Sequence, residues 1–384
     1  MHNKQLFIIY GISLMAILGL TSVNPAFPMI ARDLNISPEK TGLLLAFFTL
    51  PGIFLTPVFG ILADKFGRKK VLAFSLFLMG IAGLLCGFTK DYNLLLSMRV
   101  LQGIGSSSLG ALNIALIGDI YNEEVMPKII GFNNAVLNIG TGVFPIIGGA
   151  LAQLNWQFVF YLNIFAILLA FILIFYLKEP ERKKSIGEKK YFSALIENLK
   201  QKNLLFIFVL SILVYIILFG SYLTYLPFIA DVNFSVEPVY IGLIFSSMSF
   251  TNAIVSIFFG KILNKYLSKT LFLYSFSLYA IALFMIPLVP SWQLLFIPTI
   301  LFGLAHGVNL PNIQTRLIQH SQPAQRGILI SLNRTFSQTG QTLGPVIGGA
   351  ILAAPVIGGL PSVFYFSAVV SAVIFIFFLI IKSY

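Results

Sequence analysis

One cysteine, Cys86, occurs in 384 residues, so the chain can form no internal disulfide and no multi-cysteine metal site. It lies in an apolar run, where a lone thiol serves as a small hydrophobe. Histidine is scarce too: residues 2, 306 and 320 are too dispersed for an evident metal site. Asp, Glu, Lys and Arg together make up 10% of the chain, against about 25% in soluble domains. That shortage excludes a water-soluble enzyme, a disulfide-stapled secreted scaffold, a coiled coil and a disordered protein. Catalytic signatures are missing as well. There is no H-E-x-x-H, no G-x-S-x-G and no P-loop, and the GIG at Gly103–Gly105 lacks a third glycine. Neither an intramembrane enzyme nor a nucleotide-driven pump is expected, and no cofactor or metal.

Apolar residues are what the chain has in quantity, at 58% hydrophobic and 14% aromatic. A hydrocarbon core about 30 Å thick needs about 20 apolar residues as helix. Twelve runs satisfy that: about 6–27, 41–62, 71–88, 94–118, 127–151, 156–177, 204–228, 239–262, 270–288, 292–317, 326–353 and 361–381. They are long and continuous, which suits helices rather than barrel strands. The first is read as a span, not a cleavable signal, because no small-residue cleavage site precedes Arg32-Asp33. Twenty of the 25 Lys and Arg fall at the termini and in the even-to-odd loops; Arg32, Lys40 and Lys90 lie on the other side, and Arg99 and Arg334 inside spans. The positive-inside rule therefore predicts a multi-pass protein of the cytoplasmic membrane with both termini in the cytoplasm. The net charge of +12 reports this loop bias and not a nucleic-acid partner.

Residues 178–203 form the one long polar stretch, with eight Lys/Arg and four Glu. We expect a cytoplasmic linker there, between a six-helix bundle at 1–177 and another at 204–384. Phe192, Leu195, Ile196 and Leu199 recur at i, i+3, i+4, i+7, a pattern that suits a short amphipathic helix on the membrane surface. The two bundles repeat at an offset of 200 residues: Gly60 with Gly260, Gly103 with Gly303, Asn133 with Asn333, Gly140 with Gly340, and PIIGGA from Pro145 with PVIGGA from Pro345. Six is an even number of crossings, so the expected fold is an all-α membrane protein of twelve helices in two parallel-repeat bundles. Such transporters place the substrate between the repeats near the midplane.

The loop after span 2, GILADKFGRKK from Gly60 to Lys70, resembles motif A of the major facilitator superfamily at every defined position. The resemblance implies that Gly60, Asp64, Gly67, Arg68 and Lys69, with Asp119 at the end of span 4, form a cytoplasmic latch that joins the halves in the outward-open state. Asn264 replaces the acid in the second half, so one latch is expected. LLSMRVLQGIGSS, from Leu95, looks like motif B of proton-coupled members and implies a coupling role for Arg99, Gln102 and Gly103; hydrogen bonding of Arg99 to helix carbonyls is the structural alternative. NIGTGVFPIIGGAL, from Asn138, is similar to the antiporter motif C through Gly140, Pro145, Gly148 and Gly149, with Phe144 where the family has glycine. Gly340, Gly344 and Pro345 are its second copy. LGLTSVNPAFP, from Leu18, is similar to span 1 of twelve-span drug exporters. The resemblance thus covers nearly the whole chain and points to the drug:proton antiporter branch.

In that family spans 1, 4, 7 and 10 line the cavity, flanked by 2, 5, 8 and 11. Arg334, Gln338 and Gln341 share one helical face, as do Asn134, Asn138 and Thr141 in the other half. Two polar stripes facing one cavity are expected, with plain helix–helix contact as the alternative. Asn24, His306, Asn309, and Tyr215 and Tyr222 on one face of span 7, complete the candidate cavity. His306 titrates near neutral pH if it is not simply packed. No Asp or Glu lies deep in any span. That favours neutral, zwitterionic or anionic substrates over cations, and leaves substrate, His306, Asp33 or Asp231 as candidate proton carriers. The expected function is export of small amphiphilic compounds by proton antiport and alternating access, from a monomer in the lipid bilayer. The alternatives are a dedicated exporter of one metabolite (a siderophore, sugar or organic anion) and an uncoupled facilitator. Asp64→Asn is expected to slow transport at least about tenfold in a protein that still folds, the loss of one charged hydrogen bond. Wild-type flux in liposomes from a monodisperse mutant contradicts the latch.

Overall fold

The computed structural model describes residues 2–122, 124–178, 201–320, 326–354 and 359–381. Every regular element among them is helical. The first group comprises α1 (His2–Thr21), α2 (Phe27–Asp33), α3 (Pro38–Phe66), α4 (Arg68–Cys86), α5 (Tyr92–Ile120), α6 (Met126–Leu154), α7 (Phe158–Tyr161) and α8 (Ile164–Tyr176). The second comprises α9 (Lys202–Ile217), α10 (Leu223–Phe234), α11 (Pro238–Lys265), α12 (Ser268–Met285), α13 (Phe296–Gln319), α14 (Arg326–Ala353) and α15 (Leu360–Ile380). The stretch with Phe192, Leu195, Ile196 and Leu199 lies outside the described residues.

Eleven helical segments among the described residues are long and apolar enough to cross a membrane. The twelfth expected run, 326–353, is the 28-residue α14, which is not one of the eleven. Asn333, Arg334, Gln338 and Gln341 dilute its apolarity.

Several boundaries extend beyond the apolar runs for local reasons. Pro38 and Pro238 start α3 and α11, where a missing N–H costs nothing. The Asp91 carboxylate caps α5 by accepting from the Leu94 N–H at 2.7 Å. Gly67 separates α3 from α4 at φ +99°, a backbone geometry that disfavours any side chain. The expected first span is broken: Pro25 and Pro28 divide it into α1, a 3₁₀ turn at Asn24–Ala26 and α2. The Thr21 and Ser22 hydroxyls bond back to the carbonyls of Ile17 and Leu18 at 3.0 and 2.7 Å. Between α9 and α10 lies a π turn, Leu218–Tyr222, which sequence periodicity did not anticipate.

The long helices run between two faces. Lys4, the Phe66–Arg68 turn, Tyr176, Lys202 and Ile380 lie at the terminal face; the 34–37, 87–91, 155–157 and 235–237 connections lie at the far face. The groups are joined chiefly by α6 on α11 and α3 on α14. Toward the far face these crossings have almost no side chains between them. Gly149 abuts the Pro238 backbone, Gly242 abuts that of Pro145, and Ser246 donates to the Gly142 carbonyl. Arg32 pairs with Asp231 at 2.8 Å and Gln153 donates to Glu237 at 2.8 Å. At mid-depth Thr49 bonds Thr342 at 2.8 Å.

The buried core repeats this asymmetry. Val23, Phe27, Leu44 and Trp156 of the first group share a cluster with Phe228, Ile241 and Phe245 of the second. A separate cluster with Ile8, Leu72, Leu116 and Leu173 belongs to the first group alone. Large apolar side chains such as Phe54, Phe88, Phe175 and Ile257 cover the outside, as lipid contact requires. Overpacking a helix crossing costs about 1–3 kcal/mol, so Gly242→Leu is expected to weaken far-face closure about tenfold. In a Cys86→Ser background, a cysteine at Thr342 should then react about tenfold faster with an impermeant maleimide applied to the far face, the same shift read as a rate. Unchanged labelling contradicts the steric role of this crossing.

Candidate functional site

Arg99 is fully buried in the first group and holds three helices together. Its Nε donates to the Leu44 carbonyl of α3 at 3.1 Å. Its Nη1 donates to the Gly19 carbonyl of α1 at 2.9 Å and to Gln102 Oε1 at 2.7 Å. The Gln102 amide nitrogen then donates to Asn163 Oδ1 at 2.8 Å, and Asn163 Nδ2 to the Phe160 carbonyl at 2.8 Å. The guanidinium lies over the Phe48 ring at 4.4 Å. Gly103 lets the Phe48 backbone touch α5. Neutral oxygens thus hold Arg99 through Nε and Nη1 and a ring lies under it, while its Nη2 has no hydrogen-bond partner among the described residues. Asn163, which anchors Gln102, carried no sequence signal beyond being a polar residue in an apolar run.

Between the two groups lies a cavity of about 520 Å³. From the first group it takes Ile17 and Leu20 of α1, Phe48 and Thr49 of α3, Ser106 of α5 and Asn134 of α6. From the second it takes Tyr215 of α9, Gln314 of α13, and Asn333, Arg334, Ser337, Gln338 and Gln341 of α14. Its lining continues to the terminal face through Ile114, Ile318 and Ile330, which are 40%, 40% and 54% exposed. The far end is closed by the glycine crossings. Gln338 spans the groups: its side chain packs on Gly52 and its Oε1 accepts from Thr56 at 3.2 Å. Arg334 reaches to α5, where a Cβ at Gly110 would lie 2.8 Å from its Cζ. No Asp or Glu is among the described residues lining the cavity.

Of the candidate cavity residues, Asn134, Tyr215, Arg334, Gln338 and Gln341 are brought together here, and Asn24, Asn138, Tyr222, His306 and Asn309 are not. Tyr222 is buried and stacks on Phe302 at 4.6 Å. The π turn explains the separation of Tyr215 from Tyr222: one extra residue in the turn rotates the next helix by about 100° relative to a regular helix. His306 is buried against Phe302, with Nδ1 bonded to the Tyr279 hydroxyl at 2.7 Å. Asn309 is buried, and neither of its amide atoms has a hydrogen-bond partner among the described residues. Asn24 is buried in the 3₁₀ turn. Thr141 turns its hydroxyl onto the Asn138 carbonyl of its own helix at 2.8 Å.

The motif residues occupy helix contacts and the terminal face. Arg68 pairs with Asp119 and, at 3.7 Å, with Asp64, so it links the ends of α3 and α5. Gly60 has no neighbour within 4 Å of where a Cβ would stand, and Lys69 lies in the first turn of α4. Gly140 and Gly148 pack against α1 and its 3₁₀ continuation, at Leu14 and Ser22. Gly149 and Pro145 form the α11 crossing. Gly340 and Gly344 pack on Ile212 and Gly220 within the second group, as Gly140 packs on Leu14 within the first, and the Pro345 carbonyl accepts from Tyr225 at 3.4 Å. The two glycine-proline copies make corresponding contacts: Gly349 meets Glu39 of α3, as Gly149 meets Pro238 of α11, and Gly42 meets Pro345, as Gly242 meets Pro145. Thr49, Thr56 and Ser337 were not anticipated; their hydroxyls, in spans read as flanking, were the available signal.

The chain matches the Major Facilitator Superfamily over residues 9–240 and 231–383. It is 26% identical over 356 residues to quinolone resistance protein NorA of Staphylococcus aureus (strain MSSA476), covering 91% of this chain and 90% of that protein. It is also 26% identical over 377 residues to multidrug resistance protein 1 of Bacillus subtilis (strain 168), covering 97% and 94%. Among solved structures, the nucleoside transporter NupG superposes with a TM-score of 0.81 at 14% identity over 100% of both chains. A bacterial homologue of the human lysosomal transporter Spinster, inward-facing and unoccupied, gives 0.77 at 19% identity over 98% of this chain and 93% of that one. These structures speak to the fold.

Arg99→Lys is expected to destabilise the protein by about 3 kcal/mol, because one ammonium cannot replace two charged hydrogen bonds aimed at separate helices. Thermal unfolding of the purified mutant checks this; an unchanged midpoint contradicts the tie.

Proposed function

The chain belongs to the major facilitator superfamily, and we propose that it is a twelve-span secondary transporter that exports small amphiphilic compounds across the cytoplasmic membrane by proton antiport. The observation that carries this is the polar-lined cavity between the two groups, closed at the far face and lined to the terminal face. With both termini in the cytoplasm, that cavity collects substrate from the cell interior. Residues 1–177 rock against 204–384, with 178–203 as the linker, and the functional unit is a monomer. Opening outward separates α6 from α11 and α3 from α14, and brings the terminal ends together. Asp64, held near Arg68 in the present state, then meets the second group. The names of the two bacterial relatives, quinolone resistance and multidrug resistance, support a drug-like substrate range.

Arg99 fixes α1, α3 and α5 as one rigid unit and gives proton coupling its electrostatic background. The second reading is a dedicated metabolite exporter or an uncoupled facilitator. It is favoured by the lack of any Asp or Glu among the described cavity-lining residues, since antiport needs a group that alternates between proton and substrate.

The deciding experiment uses purified protein in liposomes with an imposed pH gradient and an interior pH dye. Cationic, neutral and anionic amphiphiles are added in turn. Compound-driven proton flux is expected, and its loss in Arg99→Ala. Compound movement without proton flux selects the facilitator; no movement of any compound removes the exporter reading.

A further inference from the structure

Resting on that exporter reading, we infer that Arg334 is an anion-binding residue and that the compounds this cavity accepts carry a carboxylate.

The observation is a cation whose counter-charge is missing. Arg334 lines the cavity from α14 and is exposed to it. No hydrogen bond or ion pair to a carboxylate holds its guanidinium among the described residues, and none of those that line the cavity is acidic. A charged side chain at membrane depth is costly unless it is paired, hydrogen-bonded or hydrated. The same chain offers the comparison: Arg99 spends Nε and Nη1 on two helix carbonyls and a glutamine and lies over a ring face, with Nη2 alone left over. Arg334 has no such set. Its plane rests against the bare backbone of Gly110, which fixes it without satisfying its donors.

A guanidinium presents a fork of N–H groups that matches the two oxygens of a carboxylate. Gln341, further along the cavity face of α14, can hydrogen-bond the same ligand, while the Ser337 hydroxyl donates to the Asn333 carbonyl at 2.8 Å and Gln338 is engaged with Thr56. Ile17, Leu20 and Phe48 on the facing wall take an apolar or aromatic body. The Arg334 charge also works against a cation, since nothing acidic on that wall offsets it. The ligand is then an amphiphile with a compact anionic end and a hydrophobic remainder, and it supplies the counter-ion that the protein omits.

Equilibrium binding to the purified full-length chain in detergent micelles tests this apart from transport. The probes are dansylglycine, its methyl ester and dansylcadaverine, which share one fluorophore and differ in charge. Dansylglycine is expected to bind about tenfold tighter than either of the others, or about 1.4 kcal/mol. Arg334→Gln should abolish that preference, and Arg334→Lys should keep it in weakened form, because the charge stays and the fork is lost. Dansylcadaverine binding as tightly as dansylglycine, no binding of dansylglycine, or an undiminished preference in a monodisperse Arg334→Gln protein overturns the assignment. The wild-type probe comparison decides even if the variants do not fold. Selective dansylglycine binding by a protein that moves no compound in liposomes would keep the anion site and remove the exporter reading. Compound-driven flux with no preference among the three probes would do the reverse.

Discussion

Backbone meeting backbone at two helix crossings is the contact on which the rest of the molecule depends. Where α6 meets α11, Gly149 and Gly242 leave no side chain between the helices on the far side. In lipid there is little hydrophobic gain from pressing helices together, so close packing and short polar contacts carry the association. The crossings close one end of the space between the two groups. The α3–α14 contact at Thr49, Thr56, Thr342 and Gln338 marks its depth, and the other end is lined by exposed isoleucines. Cavity shape therefore depends on where the glycines stand.

Two arginines within spans, Arg99 buried and Arg334 exposed to the cavity, show how position decides the role of one residue type. Arg99 lies within a single group and is held by its own neighbours through Nε and Nη1, which makes it a tie among α1, α3 and α5. Arg334 lies between groups, against a glycine, and keeps its hydrogen-bonding capacity for a ligand that enters. Insertion cost is similar for both in an isolated helix. The difference arises in the packing, where one is filled by carbonyls and the other is not.

Much of this was legible in the chain before folding. Long apolar runs, punctuated by charge, give the helices, and the polar face of Arg334, Gln338 and Gln341 reads directly as a stripe because α14 stays regular through it. Asn134 is found by the 200-residue offset. The stripe through Tyr215 and Tyr222 does not survive, because the π turn between them breaks the period that the inference assumes. The span from residue 6 to 27 conceals two proline breaks for a related reason: hydropathy averages over a bend without registering it. His306 and Asn309 are polar and mid-helix, but their direction depends on rotation of α13 against α12, which no local pattern encodes. The matched PIIGGA and PVIGGA stretches look equivalent as text and are placed alike: Gly149 meets Pro238 of the second group, and Gly349 meets Glu39 of the first.

The ion pair at the far face has a consequence for the surroundings of the molecule. Arg32 is 67% exposed in that pair, and exposed pairs contribute about 0–1 kcal/mol and are screened by salt. Closure there rests instead on glycine contacts that exclude ions and water alike. The terminal face is organised around the charges of Arg68, Asp64 and Asp119. The two ends therefore respond to different variables. Ionic strength and lipid headgroup charge act on the terminal end, whereas the far end answers to lateral pressure and to the thickness of the hydrocarbon around it.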